Sequence, residues 1–408
     1  MSPRPIARSD DLRRLRDEGY TLRIERGYLV VGDVPYVGSE GAVYSDGALA
    51  MPLTLSGEVA VAPEDHTTYF VGGIPCDTTG KPLTSIINNQ NAADLGGGLV
   101  AACYMSAKPT DGGGRYSGYH HKVTTYIGHI AGPASALDPA ATARRHRPIS
   151  DDAQAGPFHY ADTSSSRAGV DALNERLADE HVGIIGQGGS GAYLLDLIAK
   201  SHAAAVDTFD GDAFLTHNAF RTPGAASLAD LEAQPKKVGY LAAMYSKMRA
   251  GIVAHPYRID ESNLEELRDL TFVFLAIDDA PAKAPIMAAL VERQIPFVDV
   301  GMGVELVDGK LTGLVRATLV TPERNGHMAA RIPTVEVVHD EDDYRSNIQI
   351  AELNALNAVM AVLLWKRYRS IYVDTDGAMQ TMFGIATNRM VNDELITDDD
   401  TGQTGHAA

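Results

Sequence analysis

The sequence predicts an α/β protein in which a doubly wound, mostly parallel, Rossmann-like sheet follows a smaller strand-rich α+β domain. A chain of 408 residues exceeds the roughly 250–300 residues that one hydrophobic core supports, so two domains are expected. From about residue 165, short apolar runs alternate with helical patterns, which is typical of a parallel sheet covered on both faces. Before that point, segments with an alternating residue pattern are rich in β-forming residues, and glycine- and proline-bearing turns separate them. This pattern favours half-buried strands.

The first predicted domain covers residues 1–135 and has no assigned role. The segments Leu22–Val31 and Thr67–Gly73 have the composition of strands that end in turns. The adjacent residues His120 and His121 are interpreted as strand residues on opposite faces, which argues against a shared metal site. Residues 136–164, rich in Ala, Pro, Asp and Ser, are expected to be a linker.

The second predicted domain covers residues 165–390 and precedes an acidic tail, 391–408, that is expected to be mobile. Its four predicted strands are Val182–Ile185, Ala204–Phe209, Thr271–Ile277 and Ile295–Val300, with a helix over Gly186–Lys200 after the first strand. A long amphipathic helix is predicted over Ser346–Arg369. In this helix Asn354 and Asn357 stand beside an apolar stripe.

Composition excludes several classes of function. With 35 basic and 53 acidic residues the formal net charge is −18, which argues against binding to nucleic acid or to an anionic membrane. No apolar run is long enough to span a bilayer and the N-terminus lacks a signal-peptide core, so a cytoplasmic protein is expected. Cys76 and Cys103 are the two cysteines, too few for a disulfide framework or a four-cysteine zinc site.

A glycine-rich turn joins the first predicted strand of the second domain to its helix. Its glycines are Gly186, Gly188, Gly189 and Gly191. Glycine allows the backbone to approach a phosphate closely, and the helix N-terminus then offers free N–H groups to the anion. Asp210, at the end of the second strand, occupies the usual place of an acid that binds ribose hydroxyls. These features alone fit NAD, FAD and ATP equally.

Further polar motifs follow in order. They are Asp210-Gly-Asp212, His217-Asn218-Ala-Phe-Arg221, Gln234-Pro-Lys236-Lys237-Val238 and Ala276-Ile-Asp278-Asp279. With the glycine turn, this set closely resembles the ubiquitin-activating and ThiF/MoeB adenylyltransferase family over roughly residues 165–370. The resemblance implies an enzyme that binds ATP and Mg²⁺, adenylates the C-terminal carboxylate of a ubiquitin-like protein ending in glycine, and releases pyrophosphate.

The resemblance also implies roles for individual residues. The four glycines would cradle phosphates, Asp210 would grip the ribose, and Asn218, Arg221 and Lys237 would hold the triphosphate. Asp212, the second acid of the same strand end, would also belong to the cofactor-binding residues. Asp278 would place Mg²⁺. Lys236 remains an alternative to Lys237, because the two lysines are adjacent and the family's lysine can be matched to either of them.

An arginine before the glycine turn reaches the neighbouring subunit's ATP site in this family. Arg167 occupies the corresponding region, with Arg176 as the alternative, so the resemblance implies a homodimer. An exposed surface arginine remains the competing interpretation of Arg167.

Several alternatives stay open. No cysteine follows Cys103, so a thioester on the segment Arg316–Asn347 is excluded, and the final acceptor and the identity of the ubiquitin-like protein are undetermined. The first domain could recruit that protein or a conjugating-enzyme-like partner. A non-catalytic subunit that only presents a partner protein is one alternative to the enzyme, and a nicotinamide-dependent oxidoreductase is another.

Overall fold

The computed structural model describes residues 4–110, 112–148, 156–168, 170–334 and 348–392. Its contacts divide the chain into two compact units, Met1–Val170 and Asp171–Ala408. Part of the segment expected to be a linker packs into the first unit, because Ala141 and Ala143 are buried in its core. Residues 393–408 of the predicted tail lie outside the described residues.

The first unit is built mainly from antiparallel strands. In chain order its elements are α1 (Arg4–Arg8), α2 (Asp10–Asp17), β1 (Thr21–Glu25), β2 (Tyr28–Val37), β3 (Val43–Pro52), β4 (Leu55–Ser56), β5 (Val59–Ala60), β6 (Thr67–Val71), β7 (Ile87–Asn89), β8 (Ala93–Gly96), β9 (Leu99–Ser106), a 3₁₀ turn (Gly112–Gly114), α3 (Tyr119–Leu137) and α4 (Thr163–Ala168). The main sheet has the order β1-β2-β3-β6-β9-β7, with β8 also paired to β9. A strand-rich α+β unit is therefore confirmed.

Helix α3 supplies one side of the first unit's core. Tyr119 and Tyr126 are fully buried on it. His120 and His121 lie in this helix, so their assignment to a strand was wrong. Within the described residues, no group of three or more His, Cys, Asp or Glu side chains is arranged to hold a metal ion.

The second unit alternates strands and helices. Its elements are α5 (Asp171–Asn174), a 3₁₀ turn (Glu175–Leu177), β10 (His181–Ile185), α6 (Gly189–Ala199), β11 (Ala205–Phe209), α7 (Thr216–Ala219), α8 (Leu228–Ala233), α9 (Lys237–Tyr245), β12 (Ile252–His255), a 3₁₀ turn (Leu264–Leu267), β13 (Phe272–Leu275), α10 (Ala280–Glu292), β14 (Phe297–Val307), β15 (Lys310–Val320), α11 (Met328–Arg331), α12 (Ala351–Tyr368), β16 (Gln380–Gly384) and β17 (Arg389–Asn392).

The sheet of the second unit has the order β12-β11-β10-β13-β14-β15-β16-β17. Strands β10 to β14 pair in parallel, and β15, β16 and β17 extend the sheet in antiparallel fashion. The four predicted strands correspond to β10, β11, β13 and β14. The doubly wound, mostly parallel fold class is confirmed, while β12 and the antiparallel extension are additions to it.

The parallel strands are buried because helices cover both faces. Every residue of β13 is fully buried, which matches its continuous apolar sequence. Trp365 on α12 packs on one face against Phe272 and Phe274. Helix α12 begins at Ala351, later than the predicted Ser346, which lies outside the described residues. None of the helices in the described part of the chain is both long and apolar enough to cross a membrane.

The order of the strands fixes where a ligand can enter. The chain passes from β10 to β11 and β12 on one side, then returns to β13 and β14 on the other. At such a switch point the two neighbouring connections diverge and leave a crevice beyond the carboxyl ends of the strands. The candidate site lies at this crevice.

Candidate functional site

A cavity of about 620 Å³ opens at the carboxyl ends of the parallel strands in the second unit. Of the residues predicted from sequence, those that line it are Gly186, Gly188, Gly189, Asp210, Asp212, Arg221, Lys237 and Asp278. The three connections that carry them, after β10, β11 and β13, span about ninety residues of sequence, and the topology alone brings them together. Gly191 and Asn218 lie outside this lining.

The glycine turn is shaped by two close approaches of the backbone. Gly186 has φ +92°, and a side chain there would collide with the carbonyl oxygen of Ala276 on the neighbouring connection. A side chain at Gly191 would overlap the carbonyl oxygen of Gly186. Gly188, the N-cap of α6, has open space where a Cβ would stand. Gly186 and Gly191 therefore shape the turn, whereas Gly188 leaves room on the cavity side.

Asp210 ties the glycine turn to the end of β11. One of its carboxylate oxygens accepts the N–H of Gln187 at 2.8 Å, and the other accepts the N–H of Asp212 at 2.8 Å. The side chain is buried at the cavity wall. A carboxylate has about four lone-pair sites, so these two bonds leave acceptor capacity for a ligand hydroxyl.

Lys237 is held between two acids. Its Nζ lies 2.8 Å from Asp212 Oδ2 and 3.6 Å from Asp210 Oδ2. Lys236, by contrast, is exposed, precedes α9, and donates to the carbonyl of Gly211. The structure thus places Lys237 in the cavity and Lys236 outside its lining.

Asp212 is paired on both sides. Besides Lys237, Nη2 of Arg258 donates to its Oδ1 at 2.9 Å. The hydrogen bonds from Lys237 and Arg258 lower the pKa of Asp212 to about 2. Arg258, which follows β12 and lines the cavity, was not identified from the sequence because β12 itself was not predicted.

Arg221 is half-buried at the cavity wall. Burial lowers the pKa of its guanidinium, and the charge of Asp278 opposes this shift. Its Nε has no hydrogen-bond partner within the described ranges. A desolvated cation that faces a cavity and has unused donors is suited to binding an anion.

Asn218 lies behind the cavity wall, not in it. Its Oδ1 accepts the N–H of Leu215 at 2.9 Å and its carbonyl accepts the N–H of Arg221 at 3.0 Å. The side chain is buried, and its Nδ2 is unpaired among the residues that the structure describes. In this arrangement Asn218 shapes the turn that presents Arg221.

Asp278 and Asp279 follow β13 and have different surroundings. Asp279 is the N-cap of α10, where its Oδ1 accepts the N–H of Ala282 at 3.0 Å. Asp278 is exposed and lines the cavity within electrostatic reach of Arg221. Mg²⁺ is commonly bound by one or two carboxylates together with substrate phosphates, so the Asp278 carboxylate fits that role without a larger cluster of protein ligands.

The ion pairs that join Asp299 to Lys283 and Arg316 were not predicted from the sequence. Asp299 on β14 is fully buried, and Lys283 Nζ lies 2.8 Å from its Oδ1 while Arg316 Nη2 lies 2.7 Å from its Oδ2. Both cations line the cavity. The sequence contained one indication of these ion pairs, namely the acid Asp299 within the apolar run Phe297-Val-Asp-Val. A charge buried in such a strand requires partners of opposite charge.

A polar chain of side chains lies between the glycine turn and β14. Ser190 Oγ donates to Asn354 Oδ1 at 3.0 Å, and Asn357 Nδ2 lies 3.4 Å from Ser190 Oγ and 3.3 Å from the Gly301 carbonyl. All four residues line the cavity. The sequence showed both asparagines beside the apolar stripe of α12 but gave them no role.

The two candidate arginines that precede the glycine turn lie in different units. Arg167 is in α4, in the first unit, and its side chain lies outside the described part of the structure. Arg176 is in the second unit and its Nη1 donates to the carbonyl of Ser370.

Comparisons with solved structures give distant similarity. PaaA is 17% identical, with 56% of this chain and 76% of that chain covered, at a TM-score of 0.43. E. coli MccB, solved with MccA-N7isoASN, is 14% identical over 56% of this chain and 70% of that one, at a TM-score of 0.46. E. coli MccB solved with ATP is 13% identical over 56% and 71%, at a TM-score of 0.41. A comparison with curated proteins finds no match.

Family profiles match nearly the whole of the described chain. A domain of unknown function, DUF6791, matches residues 10–163. The ThiF family profile matches residues 163–368, just over half of the chain, and covers the glycine turn and every cavity residue discussed above. Family membership supports ATP-dependent adenylation of a substrate. The chain belongs to the ThiF family of adenylyltransferases.

Proposed function

We propose that the protein uses ATP and Mg²⁺ to adenylate the C-terminal carboxylate of a ubiquitin-like protein that ends in glycine. An oxygen of this carboxylate would attack the α-phosphorus of ATP, and the bond from that phosphorus to the departing pyrophosphate would break. The products are an acyl-adenylate and pyrophosphate. The observation that carries the proposal is the convergence of Arg221, Lys237 and Asp278 with the glycine turn in one cavity of a ThiF-family chain.

The reaction requires two anions, the carboxylate and the triphosphate, to approach each other. Arg221 offers a planar set of donors and Lys237 a point charge; both line the cavity, and Lys237 is held there by Asp212. Charges that are already oriented need little reorganisation as the phosphoryl group reacts, and this is the largest contribution to catalysis in many enzymes. Lys237 would exchange part of its interaction with Asp212 for phosphate oxygens.

The remaining cavity residues would bind and orient the nucleotide. Asp210 would accept hydrogen bonds from ribose hydroxyls with the lone pairs that its two N–H donors leave free. Gly188 gives a phosphate access to the N-terminus of α6. Asp278 would hold Mg²⁺ together with phosphate oxygens, and the bound ion supplies charge neutralisation.

The proposed assembly is a cytoplasmic homodimer in which Arg167 contributes to the neighbouring subunit's site. The first unit would recruit the ubiquitin-like protein or a conjugating-enzyme-like partner. Because no cysteine follows Cys103, the acyl group would pass from the adenylate to a nucleophile outside the adenylation domain.

Two measurements test this function. Titration with ATP and, separately, with NADH distinguishes an adenylating site from a nicotinamide site, and we expect ATP to bind. Exchange of labelled pyrophosphate into ATP should then depend on a partner protein that ends in glycine. A chain that binds ATP but supports no exchange with any such partner would instead be a subunit that only presents a partner.

A further inference from the structure

Arg258 joins the connection after β12 to the ion pair that holds the expected phosphate-binding lysine. Its Nη2 lies 2.9 Å from Oδ1 of Asp212, and Nζ of Lys237 lies 2.8 Å from Oδ2 of the same carboxylate. All three residues line the cavity. One carboxylate therefore bridges two cations, and the proposed reaction requires one of them, Lys237, to bind the triphosphate.

The two cations differ in their exposure to solvent. The side chain of Lys237 is 9% exposed, whereas that of Arg258 is 72% exposed. An incoming phosphate must compete with Asp212 for the buried lysine. The carboxylate that Lys237 partly releases then lies beside an anionic ligand, and this arrangement is repulsive unless another cation neutralises the carboxylate.

The local backbone places Arg258 against the turn that carries Asp212. A Cβ on Gly211 would lie 3.3 Å from Cγ of Arg258, so the aliphatic stem of the arginine packs along the backbone of this turn. The carbonyl of Arg258 accepts Nδ2 of Asn263 at 2.9 Å, which ties down the connection after β12. Arg258 is therefore positioned to keep its bond to Asp212 when Lys237 turns to a ligand.

The formal charges at this corner of the cavity require the second cation. Asp210 also belongs to it, because its Oδ2 lies 3.6 Å from Nζ of Lys237. The two acids, Lys237 and Arg258 together carry no net charge. Without Arg258, two carboxylates would share one lysine, and the corner would be negative before the triphosphate arrived. Like charges a few ångströms apart repel, so such a corner would disfavour the nucleotide.

We propose that Arg258 is a positioning residue that neutralises Asp212 and thereby releases Lys237 for the triphosphate. Arg258 acts through the carboxylate of Asp212 and makes no contact of its own with the nucleotide. The inference rests on the proposed adenylation and adds to its site a residue from the connection after β12. It implies that Arg258 affects the binding of the phosphates and not the binding of the nucleoside.

The test compares Mg²⁺–ATP with adenosine as ligands of the full chain, by isothermal titration calorimetry. Arg258→Gln should weaken ATP binding roughly tenfold, the effect expected for one charge-assisted interaction. Adenosine has no phosphate, so its affinity should change by less than about twofold. Arg258→Lys should restore part of the affinity for ATP, because it keeps the positive charge.

Arg268→Gln is the matched control. The side chain of Arg268 is 69% exposed, close to the exposure of Arg258, and it pairs with the neighbouring Asp269. Arg268 is not part of the cavity lining. This variant should leave the affinities for ATP and for adenosine unchanged.

A double-mutant cycle shows whether Arg258 acts through Asp212. The Asp212→Asn variant has no carboxylate to neutralise, so the addition of Arg258→Gln should change its ATP affinity by less than about twofold. A further loss of roughly tenfold in that background would mean that Arg258 binds the nucleotide directly, and it would overturn the inference.

Three other results would also overturn it. They are an unchanged affinity for ATP in Arg258→Gln, an equal loss of affinity for ATP and adenosine, and a loss that accompanies a lower melting temperature and is not restored by Arg258→Lys. Failure of the wild type to bind ATP would contradict the proposed function itself, and this result is distinguishable because it appears without any variant.

Discussion

Lys237 Nζ lies 2.8 Å from Asp212 Oδ2, and this ion pair is part of the cavity wall. Arg258 occupies the other oxygen of the same carboxylate at 2.9 Å. The cation expected to bind phosphate is therefore already oriented and partly neutralised before the nucleotide arrives. This preorganisation has consequences for pH dependence and for catalysis.

The first prediction concerns acid stability. Because the folded-state pKa of Asp212 is lowered to about 2 by Lys237 and Arg258, the stabilisation is fully present above its ordinary pKa of about 3.9. It is lost as the pH falls from about 4 towards 2. Urea unfolding of the wild type and of Asp212→Asn across this range should show their free energies of unfolding converging at low pH. A constant difference between them would contradict the ion-pair account.

The second prediction uses the adjacent lysines as a matched pair. Lys237→Met should reduce ATP–pyrophosphate exchange by about 100-fold or more, because it removes a preorganised cation from the triphosphate site. Lys236→Met should have little effect, since Lys236 is exposed, lies outside the cavity lining, and donates to the backbone carbonyl of Gly211. A larger loss of exchange in Lys236→Met than in Lys237→Met would identify Lys236, not Lys237, as the phosphate-binding lysine.

The third prediction tests the metal-placing acid. Asp278→Ala should abolish pyrophosphate exchange while the melting temperature stays close to that of the wild type, since Asp278 is exposed. Asp269→Ala, at a side chain that is 78% exposed and is not part of the cavity lining, serves as the control. Full exchange in the Asp278 variant would remove this residue from the mechanism.

The fourth prediction separates glycines that shape the turn from the glycine that faces the ligand. Gly191→Ala should destabilise the protein by about 1–3 kcal/mol, because the added methyl group overlaps the Gly186 carbonyl. Gly188→Ala should preserve stability but weaken ATP binding, since its Cβ has open space on the cavity side. Thermal unfolding and nucleotide titration of both variants measure these effects. Equal effects of the two substitutions on both quantities would refute the distinction.

The sequence predicted those features of the fold and the site for which a residue type has a single local physical reason. The continuous apolar runs of β10 and β13 and the glycines at Gly186 and Gly191 are dictated by burial on both faces and by close backbone contact. The same reasoning located Asp210 after β11 and Asp278 after β13. The family resemblance then related these positions to ATP.

Other features depend on contacts between distant segments and were missed for that reason. The apolar run of β12 is only three residues long, 252–254, and partly exposed, so no strand was predicted there and Arg258 after it had no predicted position. Asp299 becomes a cavity residue only because α10 and β15 bring Lys283 and Arg316 to it. His120 and His121 were assigned to a strand because their local composition does not reveal the buried helical stripe of α3.

The most direct test of adenylation is mass spectrometry of the protein mixed with Mg²⁺–ATP and candidate small proteins ending in glycine. The account predicts that one such protein gains AMP at its C-terminus and that no covalent adduct forms at a cysteine of this chain. Nucleotide binding without transfer of AMP to any C-terminal carboxylate would contradict it.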